Sequence, residues 1–401
     1  MVVFSKEITM YFACKIERMK NYSFLLMLLL FGSFLMNAQP GPRYVNLNEG
    51  LGDVIIIDST TELSRIAILK NHRNLHVIID LPKIPVEFKD FVKIQSLTIS
   101  AGGNISKLDE YFPNLKTLSI HRYAGKSIAA KKFQWDSLEN LYISDAKNLK
   151  KMDAFTNCLS IKKIMIRGTP NLNRFPKFHK KNNIKELVID HGITFRKNET
   201  KNYLKSIKRL SKLEKLTLAN IYSLTEVPSF LPTSIQYLEI NSWALHDYTT
   251  KIKSLKHLKK YPNLKFLKLY KIELAPVEES FSTLSLEYLY LNRLQDTKDI
   301  SWIFTFKKIG QVSLRNCHTI QTLEANYNTA IDRIDINGAS NLTSVNSLFQ
   351  LDNLKSLEIR SCPKLLLPTT DVMYKIPHIM MAGNRYHLYR ENGFWEKIEY
   401  Y

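Results

Sequence analysis

Carboxylates, cysteines and long apolar runs are all scarce in this chain, and each shortage removes a class of protein. Of 401 residues, 37 are acidic against 57 basic, for a formal net charge of +20. The only long apolar run, Phe24 to Met36, is shorter than the roughly 20 residues a bilayer-spanning helix needs. No transmembrane segment is therefore expected once that run is removed. Catalytic and cofactor signatures are missing as well: there is no G-x-S-x-G, G-x-G-x-x-G, P-loop, H-E-x-x-H, C-x-x-C or calcium loop. The expectation is a protein that is not an enzyme and carries no cofactor. His72 and His76 stand four apart, but they lie in a polar turn before a strand with no third ligand, so no metal is expected there.

The composition is 45% hydrophobic and 23% charged, enough for a core and too apolar for wholesale disorder. The apolar run "FLLMLLLFGSFLM" follows Lys20 and ends in "NAQ", with Ala38 as the small residue before a cut. This predicts a secretory signal over 19–38. The residues 1–18 fit no part of a signal and read as an upstream extension, with translation starting at Met19. The "NAQ" ending resembles the signals of secreted Gram-negative bacterial proteins, and no cysteine at the cut argues against a lipid anchor. The expected location is exported: secreted, or in the periplasm or at the cell surface. Cleavage before Gln39 would lower the net charge to +18 and leave Cys158, Cys317 and Cys362, an odd number that makes a poor disulfide framework.

The rest is dominated by self-similarity. The frame L-x-x-L-x-[IL]-x-x-small-x-x-L recurs thirteen times, as "IQSLTI" at Ile94, "LKTLSI" at Leu115, "LENLYI" at Leu138, "IKKIMI" at Ile161, "IKELVI" at Ile184, "LEKLTL" at Leu213 and "IQYLEI" at Ile235. It continues through "LKFLKL" at Leu264, "LEYLYL" at Leu286, "IGQVSL" at Ile309, "IDRIDI" at Ile331, "LKSLEI" at Leu354 and a worn "IPHIMM" at Ile376. Starts are 21 to 29 residues apart. Positions 1, 4 and 6 surround a short strand, so one unit cannot close its own core and stacking must do it.

These residues resemble the leucine-rich repeat family over most of the chain after the signal. The resemblance implies an α/β solenoid, a horseshoe of about 13 repeats of 21–29 residues, with a parallel concave sheet and a mostly irregular or short-helix convex side. Many relatives place Asn at position 9 or nearby, whereas this chain has Ala146, Thr169, Gly192, Cys317, Ala339 and Cys362. In that respect it is similar to the cysteine-type variant, whose matching Pro stands here at Pro176 and Pro228. Cys317 and Cys362, in one column two units apart, should lie roughly 10 Å from each other, too far for a disulfide. They read as packing. The expected organisation is an N-terminal cap over 39–92, the solenoid over 93–384 and an aromatic C-terminal cap over 385–401. In the two 29-residue units, Leu204, Ile207 and Leu210, and Ile252, Leu255 and Leu258, recur every third residue, which predicts true convex helices.

Two surfaces are candidates for binding. Position 3 carries Tyr237, Phe266 and Tyr288 on consecutive strands, extended by Tyr290 and Tyr270, with Lys268 and Glu239 among them. Exposed aromatics rimmed by polar groups resemble interface hot spots, which points to a protein, peptide or glycan ligand on the concave face. Cross-strand aromatic pairing that stabilises the sheet is the competing reading. The second surface is the cation series Lys201, Lys205, Lys208, Arg209, Lys251, Lys253, Lys256 and Lys259 on the inserted convex segments, which would attract an anionic surface glycan or lipid. A solvated convex face is the preferred reading of it. The alternatives to a binding module are thus a structural or envelope-associated protein held to anionic surfaces, or a host-adhesion or virulence factor as the resemblance allows. No nucleic acid partner is expected, because no nucleic-acid-binding motif is present.

Overall fold

The computed structural model describes residues 43–46, 53–61, 76–100, 105–128, 132–190, 204–242, 249–325, 329–366, 376–382, 386–391 and 394–399. The signal, the upstream extension, Lys201 and His72 lie outside the described residues. Each repeat start is followed by a short strand, from Ser96–Ser100 in unit one to His378–Ala382 in unit thirteen, and all pair in parallel with their neighbours. The ladder also takes in two earlier strands, Asp53–Ile57 and His76–Asp80, so fifteen parallel strands are present among the described residues. Antiparallel strands flank them: Arg43–Asn46 before, and Tyr386–Glu391 and Phe394–Glu399 after.

The register explains the pattern. Position 3 lies beside position 3 of the next unit throughout, as in Tyr237, Phe266 and Tyr288, so columns of equivalent residues run across the sheet. Position 4 (Leu216, Leu238, Leu267, Leu289) and position 6 (Leu218, Ile240, Leu269, Leu291) are sealed, each at 1% exposure or less. Burying one such side chain stabilises the stack by about 1.5–3 kcal/mol. Positions 3, 5 and 7 face outward. The fold is a leucine-rich repeat solenoid.

Two local devices turn the chain after each strand. Position 8 is left-handed in nine described units, at Arg122, Asp145, Gly168, Asn220, Lys271, Arg293, Asn316, Gly338 and Ser361. Its N–H extends the ladder by donating to the position 7 carbonyl of the next unit, as Asn316 does to Asn337 at 2.7 Å. Position 12 then donates its N–H back to the position 9 carbonyl, as Leu342 does to Ala339, closing a tight turn that drops position 9 into the core. Seven of these nine residues are not glycine, so the ladder bond and the turn hold a conformation that costs an L-residue roughly 1–2 kcal/mol.

Position 9 is not uniformly small. Tyr123, Ile221, Ile272 and Leu294 fill it in other units and are buried just as Cys317, Ala339 and Cys362 are. The requirement is an apolar or satisfied side chain under the turn, and its size follows the local space. Cys158, Cys317 and Cys362 are free, buried thiols. The Cys317 thiol donates weakly to the Arg315 carbonyl at 3.4 Å, and burial pushes it up to about 11, which keeps it protonated at neutral pH.

Asparagine does bridge the units, but at two other positions. At position 11, Asn171 donates to the Lys147 carbonyl and Asn341 to the His318 carbonyl, both at 2.7 Å. Just before position 1, Asn114 reaches the Val92 carbonyl at 2.8 Å and Asn263 the Thr233 carbonyl at 3.0 Å. The sequence marks these as the recurrent "NL" dipeptide.

The convex helix of the second 29-residue unit is corrected: Lys256–Lys260 is a single 3-10 turn of five residues, the same length as Asp153–Asn157 or Ser301–Thr305 in shorter units. In the first long unit Lys205–Arg209 is a 3-10 turn that follows α-helical Leu204, and residues 191–203 of that segment lie outside the described residues. In the second, the extra residues form a strand, Thr250–Ile252, parallel to Ile272–Leu274. Both apolar trios are buried, Leu204 with Ile207 and Leu210, and Ile252 with Leu255 and Leu258. A spacing of three suits a 3-10 turn, where residues i and i+3 eclipse, as well as it suits an α-helix. Beneath the first units, Phe88, Phe91 and Phe112, and Phe133, Trp135 and Phe155, pack ring to ring with centroids 4.8–6.5 Å apart.

Candidate functional site

Three consecutive strands, Tyr237–Asn241, Phe266–Tyr270 and Ser285–Asn292, place nine side chains on the outward face as a grid. Position 3 supplies Tyr237, Phe266 and Tyr288; position 5 supplies Glu239, Lys268 and Tyr290; position 7 supplies Asn241, Tyr270 and Asn292. All seven residues singled out as the ligand candidate fall in this one grid, and all seven are half-buried.

The rings sort into two pairs. Tyr237 and Phe266 meet across strands with centroids 6.3 Å apart and a tilt of 35°, while Tyr288 and Tyr290 stack within one strand at 6.1 Å and 23°. Cross-strand pairing is therefore real for the first pair. Between the pairs stands Lys268, whose Nζ lies 5.3 Å from the centre of the Tyr237 ring and 5.9 Å from that of Tyr290. Each ring presents its negative face to the ammonium, an attraction worth about 0.5–2 kcal/mol.

The surrounding hydrogen bonds divide the groups into occupied and available. Tyr237 donates its O–H to Glu239 Oε2 at 2.5 Å, and Asn241 donates Nδ2–H to Glu239 Oε1 at 2.6 Å. Both Glu239 oxygens are thus engaged away from Lys268. Burial, then the Glu239 hydrogen bond and charge, push the Tyr237 phenol well above its ordinary range. Asn292 donates Nδ2–H to Tyr290 Oη at 2.5 Å, and burial pushes the Tyr288 phenol above its ordinary range. Asn241 Oδ1 and Asn292 Oδ1, on either side of Tyr270, are buried without a partner. No carboxylate lies within ion-pair distance of Lys268 among the described residues.

Several other cations on the same face are paired: Arg315 with Asp335, Arg360 with Glu358 at 2.8 Å, Lys163 with Glu186 at 2.9 Å and Arg167 with Asp190 at 3.4 Å. Lys215 and Arg333 at position 3 are exposed, whereas Lys268 is half-buried and stands over two tyrosine rings. A shallow hollow beside the strand entries is rich in lysine, but Lys185 is held by Glu214 at 3.0 Å and Lys265 by Glu287 at 2.8 Å.

The convex cations Lys205, Lys208, Arg209, Lys251, Lys253, Lys256 and Lys259 are exposed. Neighbouring units supply the carboxylates their own segments lack: Glu273 meets Lys251 at 2.6 Å, and Glu226 lies 3.8 Å from Lys256. The inter-unit partners were invisible in the local sequence.

His76 and His121, on the outward face, are held by hydroxyl groups of the neighbouring strands. His76 has Ser96 Oγ 2.5 Å from Nδ1 and Thr98 Oγ1 3.0 Å from Nε2, and burial lowers its pKa to about 4. His121 meets Ser144 at 2.8 Å and Asp145 at 3.5 Å, yet both oxygens approach Nδ1 while Nε2 is buried without a partner. A relay needs them on opposite ring nitrogens. No group of three or more metal-ligating side chains occurs among the described residues, and no helix there is long and apolar enough to cross a membrane.

No protein-family model matches this sequence, and no curated protein matches it. Among solved structures, the chain is similar to an internalin of Listeria monocytogenes at 14% identity, covering 82% of this chain and 85% of that one, with a TM-score of 0.37. It is also similar to a leucine-rich repeat protein of Leptospira interrogans at 16% identity, covering 78% and 84%, with a TM-score of 0.38. A plant peptide hormone receptor in complex with RGF2 aligns at 11% identity over 87% and 72%, with a TM-score of 0.31.

Proposed function

We propose that this chain is an exported, non-enzymatic leucine-rich repeat module that binds a ligand on the outward, concave face of its sheet at units seven to nine. The observation that carries the reading is the half-buried grid around Lys268, where aromatic rings, an unpaired ammonium and fixed phenols converge on three adjacent strands. The Lys268 ammonium gains from the two ring faces, yet its N–H donors have no carboxylate partner among the described residues and remain open to a ligand. Aromatic anchors within a polar rim carry most of the energy in known interfaces.

Export is supported by the apolar run from Phe24 to Met36 and its small-residue ending. Attachment to anionic surfaces through the convex cations is the weaker reading, since Glu226 and Glu273 already draw on that charge.

The test replaces Tyr237, Phe266 and Tyr288 together with Ser and compares capture from the protein's native surroundings. The wild-type chain should hold its partner in about 0.5 M salt, which screens surface charge to a few ångström, and the triple variant should lose it. Capture that survives the triple substitution, or that vanishes in salt for the wild type, rejects the aromatic grid as the binding surface.

A further inference from the structure

We infer that the centre of the grid is a carboxylate subsite, and that it takes an acidic side chain of an extended peptide ligand. This rests on the concave-face reading above and gives it a ligand class. Lys268 has three N–H donors, no carboxylate partner among the described residues, and tyrosine rings on two sides. A phenol beside it is arranged as a donor too. Tyr290 Oη accepts from Asn292, which leaves its own O–H for an outside acceptor. Glu239, the one nearby carboxylate, has both oxygens occupied by Tyr237 and Asn241. Lys268 and the Tyr290 hydroxyl are therefore available donors around one positive charge, which suits an oxyanion, while the unpartnered oxygens of Asn241 and Asn292 are buried at position 7 beside Tyr270.

Peptide is favoured over acidic glycan by the direction of the rings. A sugar stacks its C–H face on an open aromatic face, but here the Tyr237 and Tyr290 faces are turned to Lys268, and the Tyr288 and Tyr290 rings stack on each other. Ring edges and hydroxyls remain, and these suit apolar side chains flanking an acid. Phe266, tilted by 35° against Tyr237, adds an apolar border to the subsite.

The experiment is selection from a randomised linear peptide library on the immobilised full-length chain, in wild-type form, as Lys268→Met and as the triple Ser variant. The expected result is wild-type enrichment of peptides with Asp or Glu flanked by apolar residues. In the best of these, changing the acid to its amide should weaken binding about tenfold on wild type and leave binding to Lys268→Met unchanged, as loss of a charged hydrogen bond would. Enrichment without acidic preference, no enrichment at all, or an amide penalty that persists in Lys268→Met overturns the subsite. Lys268-dependent binding of a uronic-acid oligosaccharide in place of peptides overturns the peptide assignment. Acidic peptides that bind the triple Ser variant as well as wild type overturn the broader concave-face reading instead, so the two failures are distinguishable.

Discussion

Lys268 and His76 occupy outward columns of the same sheet in different surroundings. Lys268 stands between two ring faces with no counter-ion among the described residues. His76 is kept neutral: burial lowers its pKa from the ordinary 6.5 to about 4, and hydroxyls of Ser96 and Thr98 take both nitrogens. Because the folded state holds the depressed pKa, the unfolded chain binds the proton first as pH falls. The stability His76 contributes is present above pH 6.5 and is lost as pH drops through the window to 4. That loss is about 3.5 kcal/mol at most, at about 1.4 kcal/mol per pH unit. Urea midpoints measured across this window should fall steeply for wild type and more gently for His76→Gln; equal slopes would show that His76 does not control the acid limb.

At the scale of one element, the turn after each strand carries the repeat. Nine described units adopt a left-handed residue at position 8, whether it is Gly, Asn, Asp, Arg, Lys or Ser. Gly338 has φ of 77°, and a Cβ there would meet Asn316 Oδ1 at 2.8 Å. Gly338→Ala should therefore destabilise the chain by about 1–2 kcal/mol, read as a lowered urea midpoint with unchanged slope. A neutral outcome would mean the left-handed column is not strained.

The same element scale shows why some readings succeeded and others did not. Leucines at positions 4 and 6 were legible because a period of two along five residues, repeated thirteen times, reports burial directly. The left-handed column was not, since Arg122, Lys271 and Ser361 carry no signature of positive φ. The two apolar trios of the long units were legible as buried, but a spacing of three does not distinguish a 3-10 turn from an α-helix. The asparagine bridges were sought at position 9 and lie at position 11 and just before position 1, where the "NL" dipeptide could have revealed them.

For the whole molecule, the proposed function joins an N-terminal export signal to a solenoid whose outward face carries the grid. The chain recovered outside the producing cell should begin at Gln39, by mass spectrometry of its N-terminal peptide. A recovered peptide that spans Ala38–Gln39 uncut would contradict the export reading. A repeat stack also distributes its stability over neighbour interfaces, so the grid depends chiefly on units six to ten.

The sequence by itself determined the solenoid, its unit length and its buried columns, because these depend on a local pattern copied many times and need no knowledge of which distant residues meet. It also located the aromatic column at Tyr237, Phe266 and Tyr288 through the repeat numbering alone. Tertiary structure alone decided what each outward charge does. Glu273 reaches Lys251 and Glu214 reaches Lys185 from the next unit, 22 and 29 residues on, and those separations vary with the insertions. Lys268 stands out only once its rings and pairings are known, since an unpaired ammonium over two tyrosine faces is defined by the geometry of its neighbours and not by its place in the chain.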